Sequence, residues 1–274
     1  MSWIGIGATL LAFVLGYTLS MMYITVFYHR GFTHNAVELK PSVRRFVLLT
    51  GPWLTGLDVR GWACMHRMHH QTTDVPGDPH SPVEVGMLGV FLAQHKSYAG
   101  VLFGLVKNKD DYVSVVADIP EPVSWASRHR VWYLPAILCP LVAVTVAWPL
   151  GAWYLGLAFA VGLMSHPGVG WLVNSLCHAH GHRNFDTADN SHNSLRVAIA
   201  TFGEGLHNNH HYAPASARLR YRWFEPDLGF LICRSLESLG LLTIRRDTLL
   251  PTYRQQRRQS PEAEQSAVPR AAQT

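Results

Sequence analysis

Residues 131–182 read VWYLPAILCPLVAVTVAWPLGAWYLGLAFAVGLMSHPGVGWLVNSLCHAHGH and contain no Asp, Glu, Lys or Arg. An uncharged run of that length does not belong to a soluble globule or to a disordered chain. It is also too long for one membrane crossing. Pro149-Leu150-Gly151 divides it near the middle, so the natural reading is two helices, 132–148 and 152–173, joined by a tight turn. A second uncharged stretch, 2–28, supplies a span at 3–27, enough to cross a hydrocarbon core of about 30 Å at ~1.5 Å per residue. It lacks a basic leader and a small-residue cleavage site, which argues against a removable signal peptide.

Outside these stretches the apolar pieces are shorter. Those at 43–57, 87–106 and 228–244 are interrupted by Gly-Pro or by polar residues, and read as interfacial helices or helices packed on the spans. Charge sets the orientation. Arg30, Lys40, Arg44 and Arg45 follow the first span, which places its end in the cytoplasm and the N-terminus outside. Residues 29–130 and 174–274 then share one face of the membrane. The expected fold is an all-α integral membrane protein of about three transmembrane helices with a helical cytosolic cap. One domain is expected over 1–250, followed by a disordered tail at 251–274 that is rich in Gln, Arg, Ser and Pro.

Charged residues make up 15% of the 274, the net charge is +5, and there are 16 histidines against 18 acids. The basic excess lies partly in the tail, beside apolar segments, and suits anionic lipid headgroups; no nucleic-acid recognition module is present. The cysteines Cys64, Cys139, Cys177 and Cys233 form no C-x-x-C and read as reduced thiols. All the histidines except His166 fall in the two cytoplasmic regions.

The pattern H-x-x-H-H occurs twice, at His66-His69-His70 and His207-His210-His211. Chance predicts about 0.05 occurrences in such a chain. On a helix, offsets of three and four bring the rings of a triad to one face. With His29, His34 and His178 they make nine candidate ligands, more than one ion needs and suited to two ions at four or five each. Imidazole binds zinc, copper, iron and nickel well, so the donors alone leave the metal open. Lone histidines such as His95, His129 and His192 read as ordinary polar residues. Ligating rings need a partner on their other nitrogen, for which His80, His180, His182, Asn174, Asp74, Asp78, Glu204 and Asn208 are at hand.

In order along the chain, H-R-G-F-T-H (29–34), H-R-M-H-H (66–70), D-P-H-S (78–81), N-S-L-C-H (174–178) and G-E-G-L-H-N-N-H-H (203–211) resemble the histidine boxes of the membrane fatty-acid desaturases. The similarity is to the branch that holds stearoyl-type acyl-CoA and bacterial acyl-lipid desaturases, and runs from about Ser20 to Leu242. It implies two iron ions held by His29, His34, His66, His69, His70, His178, His207, His210 and His211, with Asn174, His80, Asp78 and Glu204 around them. It implies O2-dependent insertion of a cis double bond into a fatty acyl chain, with electrons from an external ferredoxin- or cytochrome-type donor. The location it implies is a bacterial inner membrane, with the site on the cytoplasmic face.

Two departures qualify the resemblance. One span precedes the first box where stearoyl-type enzymes have two, so either the N-terminus is external or the start is placed too late. Cationic residues that would meet CoA phosphates are replaced by Cys64-Met65 and Pro82-Val83-Glu84, which makes a lipid-linked chain at least as good a substrate as a thioester. Two other functions remain open at this level. A hydroxylase could use the same site, and a metal transporter could carry a histidine-rich cytosolic sensor, although His166 is the one ionisable group away from the ends of the spans. His166-Pro167-Gly168 resembles a haem motif but reads as a kinked or packed helix segment. H-E-x-x-H, G-x-S-x-G, Walker and G-x-G-x-x-G motifs are absent, so the electrons must come from elsewhere.

Overall fold

The computed structural model describes residues 2–249, so the tail expected at 251–274 lies outside the described residues. The chain is mainly helical. Helix α1 (Trp3–Met22) starts at Ser2, whose side chain accepts a hydrogen bond from the Gly5 amide at 3.2 Å. It is apolar all round, and Trp3, Ile4, Leu10 and Leu11 stay exposed, which is how a lipid-facing helix is built.

Without a break α1 continues into an 11-residue π-helix, Tyr23–Thr33, whose residues are buried except for the half-buried Ile24. The apolar helix thus runs past Phe27 to Thr33 and carries the first histidine box inside the fold. Antiparallel strands β1 (Val37–Leu39) and β2 (Leu242–Ile244) then tie the two ends of the domain together. β2 falls within the stretch read as an interfacial helix; Gly240, at φ 68°, ends the helix before it.

Helix α2 (Pro41–Thr55) presents Phe46, Leu49 and Trp53 outward. Helix α3 (Val59–Thr72) is capped by Asp58, which accepts from the amides of Arg60 and Gly61, and it carries the second histidine box. Helix α4 (Pro82–Val106) kinks at Gly86, φ 69°, and packs against both α3 and the later helix that starts at His166. The short turns α5 (Asp110–Val113) and α6 (Trp125–Arg128) lead to α7 (Leu134–Ala147).

Gly151 in the left-handed conformation closes the turn into α8 (Trp153–Leu163), where the sequence placed it. α8 ends at Leu163 and α9 (His166–Leu176) begins after Met164-Ser165, so the helix is interrupted just before His166-Pro167, which form the first turn of α9. The main helix contact is between α1 and α8. A Cβ on Gly16 would lie 2.1 Å from the Phe159 carbonyl, and one on Gly162 would lie 2.1 Å from the Phe13 carbonyl. This reciprocal close approach of backbones is the way helices associate in lipid.

Among the described residues two helices are long and apolar enough to cross a membrane, Trp3–Thr33 and Trp153–Leu176. The third expected span forms as the shorter apolar helix Leu134–Leu150. Its 17 residues reach only about 25 Å, less than a typical hydrocarbon core of ~30 Å. Past α9 the chain is mostly irregular: α10 (Leu195–Ala200) packs on α9, α11 (His207–Tyr212) brings His210 against His29 and His70, and α12 (Leu228–Ser238) packs on the π-helix.

Candidate metal centre

All nine box histidines converge in the interior, as two adjacent clusters. His29 and His34 are five residues apart, a spacing that on an α-helix would turn them about 140° from one another. The π-helix corrects this. The amide of His34 donates to the carbonyl of His29 at 3.0 Å, the i+5 bond that defines such a turn, and the two rings stand 4.8 Å apart. On α3, His66 and His70 are one turn apart and face the same point, while His69 faces elsewhere. His210 comes in from α11.

The result is a near-square of ring nitrogens. The Nε2 separations are 3.1 Å for His29–His66, 3.1 Å for His66–His70, 2.8 Å for His70–His210 and 3.1 Å for His210–His29. The His34 ring caps it, with its centroid 4.8 to 5.1 Å from all four.

The second cluster is made by His69, His178, His207 and His211. The Nε2 atoms of His178 and His211 each lie 3.0 Å from that of His207, and the His69 ring closes the group at 5.2 and 5.3 Å from those of His178 and His211. Each H-x-x-H-H triad is therefore split. α3 gives His66 and His70 to one cluster and His69 to the other, and α11 gives His210 to the first and His207 and His211 to the second.

Protonation follows from the partners. Nδ1 of His29 lies 2.8 Å from Glu204, Nδ1 of His69 2.9 Å from Asp78, Nδ1 of His178 2.9 Å from Asp74, and Nδ1 of His211 3.0 Å from Asp189. A carboxylate only accepts, so the Nδ1 atoms of His69, His178 and His211 carry the proton and their Nε2 atoms turn a lone pair into the cluster, while His29 keeps an ion-pair contact with Glu204. Burial pushes His34, His66, His70, His207 and His210 well below the ordinary imidazole range, and neighbouring imidazoles lower them further. They are neutral at pH 7. Burial raises the pKa of Asp78 and Asp189, but their histidine partners outweigh it and keep both ionised. Glu204 is likewise held at about 2 by His29 and Arg30 against the effect of its burial.

Converging lone pairs repel unless a cation lies between them. Nε2 of His34 and of His69 are buried without any hydrogen-bond partner, which is costly in the absence of an ion. Two ligands at right angles around a first-row metal, each at about 2.1 Å, sit ~3.0 Å apart, which matches the separations of both clusters. The donor set fits two metal ions.

Behind the first cluster lies a buried ion network. The Arg30 guanidinium bonds Glu204, lies 3.0 Å from Asp227 and donates to the Ala217 carbonyl at 2.8 Å. Gly229 leaves room for it, since a Cβ there would come within 2.8 Å of Arg30 Nη1.

Of the surrounding residues named from sequence, Asp78, Asp74 and Glu204 meet the rings directly. His80 stacks on His69 at 4.7 Å with both ring nitrogens buried and unpartnered, and burial beside His69 lowers its pKa to about 3. Asn174, one turn before His178, lines the cavity below the clusters. Asn208 is occupied elsewhere, accepting from the amides of Asn184 and Phe185. His180 is exposed, and His182 pairs with Glu225 at 3.1 Å. Sequence reasoning missed Asp189, Arg30 and Trp62, whose indole stacks on His66 at 5.0 Å and 10°.

From His29, His66 and His207 a cavity runs between apolar walls that include Met21, Ile24, Leu57, Trp62, Tyr98 and Trp132. The two imidazole clusters thus stand at the head of an apolar cavity.

Comparison with known proteins agrees. The family described as Fatty acid desaturase matches residues 5–227. The icosanoyl-CoA 5-desaturase of Limnanthes douglasii is 30% identical over 253 residues, covering 89% of this chain and 66% of its own length, so this chain spans about two thirds of that relative. The hex-5-enoyl-[acyl-carrier protein] acetylenase of Moorena producens is 30% identical over 264 residues, 91% of this chain and 80% of that protein. The Delta-9 acyl-lipid desaturase 1 of Arabidopsis thaliana is 31% identical over 248 residues, with 88% and 75% covered. Matches of this extent, on a chain whose box histidines form two clusters, show that the protein belongs to the fatty acid desaturase family of oxidoreductases.

Proposed function

We propose that this protein introduces a cis double bond into a fatty acyl chain, using O2 and electrons from an external donor, at a centre of two iron ions. The observation that carries the reading is the pair of imidazole clusters set at the head of the apolar cavity. His29, His34, His66, His70 and His210 would hold one ion, and His69, His178, His207 and His211 the other. When bound, the two irons supply the reduction of O2 and the oxidising power that removes two hydrogens from neighbouring methylenes.

The chain's own residues do the rest. Asp74, Asp78 and Asp189 keep the Nδ1 protons of three rings in place and so fix their tautomer and orientation, and Glu204 lies against His29. The cavity walls take the acyl chain and exclude water from it. Trp62 holds the His66 ring flat against one wall, and Asn174 lines the same cavity, where its amide would share a water with the centre.

We place the protein in a bacterial inner membrane, crossing it three times with the clusters on the cytoplasmic face. The apolar helices Trp3–Thr33 and Trp153–Leu176, the shorter Leu134–Leu150, and the basic residues that follow the first span support this arrangement. An N-terminal tag should then be reachable from outside the cell, and labelling from the cytosol alone would overturn the topology.

Expression in a desaturase-deficient host, with mass spectrometry of the lipids and metal analysis of the purified protein, tests the function. New cis double bonds and about two irons per chain are expected from a centre of this kind. Hydroxylated chains without new unsaturation would assign the site to a hydroxylase instead.

A further inference from the structure

A second recess lies apart from the cavity under the clusters and shares no lining residue with it. It is bounded by α2, by the first turn of α3 and by the chain that leads into α6. Leu48, Leu49 and Pro52 from α2, together with Ile119, make its walls apolar, and Arg45 and Arg60 stand among them. The Nε atom of Arg60 is buried and has no hydrogen-bond partner. Neither guanidinium makes an ion pair or a hydrogen bond to any described residue.

The acids of the recess are already committed. Both oxygens of Glu121 accept from Arg44, at 2.6 and 2.7 Å, which holds its carboxyl below the usual carboxylate range. One oxygen of Asp58 caps α3, and the other accepts from the Ser124 amide at 2.6 Å and the Ser127 hydroxyl at 3.1 Å. Arg44, Arg45 and Arg60 set against these two carboxylates leave one positive charge unmatched. A buried cationic donor without a partner is costly unless an acceptor comes from outside the chain.

The surroundings set the recess at the membrane surface. Trp53 follows Pro52 and Trp125 follows Ser124, both lining residues, and Tyr133 precedes α7; all three rings are exposed. Exposed Trp and Tyr beside an apolar helix are the usual anchors at the membrane–water boundary. α2 ends against the first turn of α7, since a Cβ on its capping Gly56 would lie 2.8 Å from that of Ala136. Leu49, 74% exposed, joins the apolar walls to the outward face of α2 that carries Phe46 and Trp53.

We propose that the recess binds an anionic phospholipid, its phosphate met by Arg45 and Arg60 and its acyl chains lying along Leu49 and the outward face of α2. A diester phosphate carries one negative charge and accepts the charge-assisted, two-pronged bonds that a guanidinium makes best. Basic pockets beside membrane helices on the cytoplasmic side recognise lipids in this way. A soluble phosphate would leave the apolar walls in water. The lipid is a bound partner and not the chain that is oxidised, because the recess and the cavity have no wall in common.

This inference rests on the membrane placement proposed above and not on desaturation, so it is tested by binding. Full-length protein purified in neutral detergent is titrated with phosphatidylglycerol, or with phosphatidylcholine of the same chains, and followed by native mass spectrometry. Phosphatidylglycerol should bind at least about tenfold more tightly. Arg45→Gln with Arg60→Gln should abolish that preference, and Arg45→Gln by itself, at an exposed side chain, should reduce it about threefold or more. Arg196→Gln with Arg220→Gln removes the same charge from exposed positions elsewhere and should leave the preference unchanged. Equal binding of the two lipids, or an equal loss in the Arg196 and Arg220 variant, overturns the proposal. So does glycerol 3-phosphate binding as tightly as the lipid, which would assign the recess to a soluble phosphate. A protein that keeps the preference but forms no double bonds when loaded with iron refutes the desaturase reading and upholds this site.

Discussion

The two clusters are built from the same residue type and share the helices α3 and α11, yet they are supported differently. In the first, one ring of five, His29, lies against a carboxylate, and that carboxylate is pinned by Arg30 in a buried network. In the second, three rings of four donate, to Asp78, Asp74 and Asp189. A carboxylate behind an imidazole makes it a more basic ligand and fixes its orientation. The first cluster relies on number and enclosure, the second on charge from its surroundings. Two ions held this way would sit among unequally supported ligands.

The largest effect should come from removing a ring that belongs to one cluster only. His210→Ala or His69→Ala is expected to abolish desaturation while leaving the protein in the membrane, checked by lipid analysis and fractionation. Full activity in either variant would refute the assignment of that ring.

Next come the carboxylates. Losing a group that orients a ligand costs about 10–100-fold in metal affinity or activity. Glu204→Gln, which removes the single support of the first cluster, should fall near the upper end, and Asp189→Asn, with two other carboxylates left, near the lower. Measured iron affinities in the opposite order would break the contrast drawn above.

A smaller effect is expected at Asp227. Asp227→Asn loosens Arg30 without touching a ring, so iron affinity of the first cluster should drop by less than in Glu204→Gln and that of the second should not change. Equal losses at both would show that the network is shared.

pH sharpens the comparison further. His34, His66, His70 and His210 in the first cluster, and His178 and His207 in the second, all have lowered pKa values, with burial as the leading cause. A group whose folded pKa lies below its unfolded value of about 6.5 favours the unfolded chain as it takes up a proton. Metal-free protein should therefore be most stable above that pH, and its melting temperature should fall as the pH drops below it. Asp74, Asp78 and Asp189 are also depressed, so their contribution is present above about pH 4 and is lost only on further acidification. A melting temperature that stays flat between pH 7.5 and 5.5 would contradict this order.

Much of this was legible in the residues. Uncharged runs marked the apolar helices, and Pro149-Leu150-Gly151 marked the turn between two of them. The doubled H-x-x-H-H pattern marked the rings. What it did not reveal was their distribution. Spacing puts His66, His69 and His70 near one another, but the rotation of about 100° between His69 and His70 is enough to face different clusters. The end of the first helix was set too early because a charge rule stops before His29 and Arg30, whereas their charge and polarity are absorbed by Glu204 and Asp227, far along the chain. Asp189 stands in an irregular polar loop where no period points to it, and only the folded contact with His211 reveals its part.

The wide turn at Tyr23–Thr33 also sets how this stretch tolerates change in length. Loss of one residue between His29 and His34 would allow ordinary helical bonding to resume, at offset four, and would drag Phe32 and Thr33 round with it, away from the places they fill in the core. An insertion or deletion in the lipid-facing part of α1 alters only which apolar side chains meet the bilayer, as long as Gly16 keeps its seat against α8. Families descended from this fold should therefore vary freely in the length of the helix before Tyr23 and hardly at all within the turn itself, and an alignment gap placed there would mark a protein that has given up the chemistry.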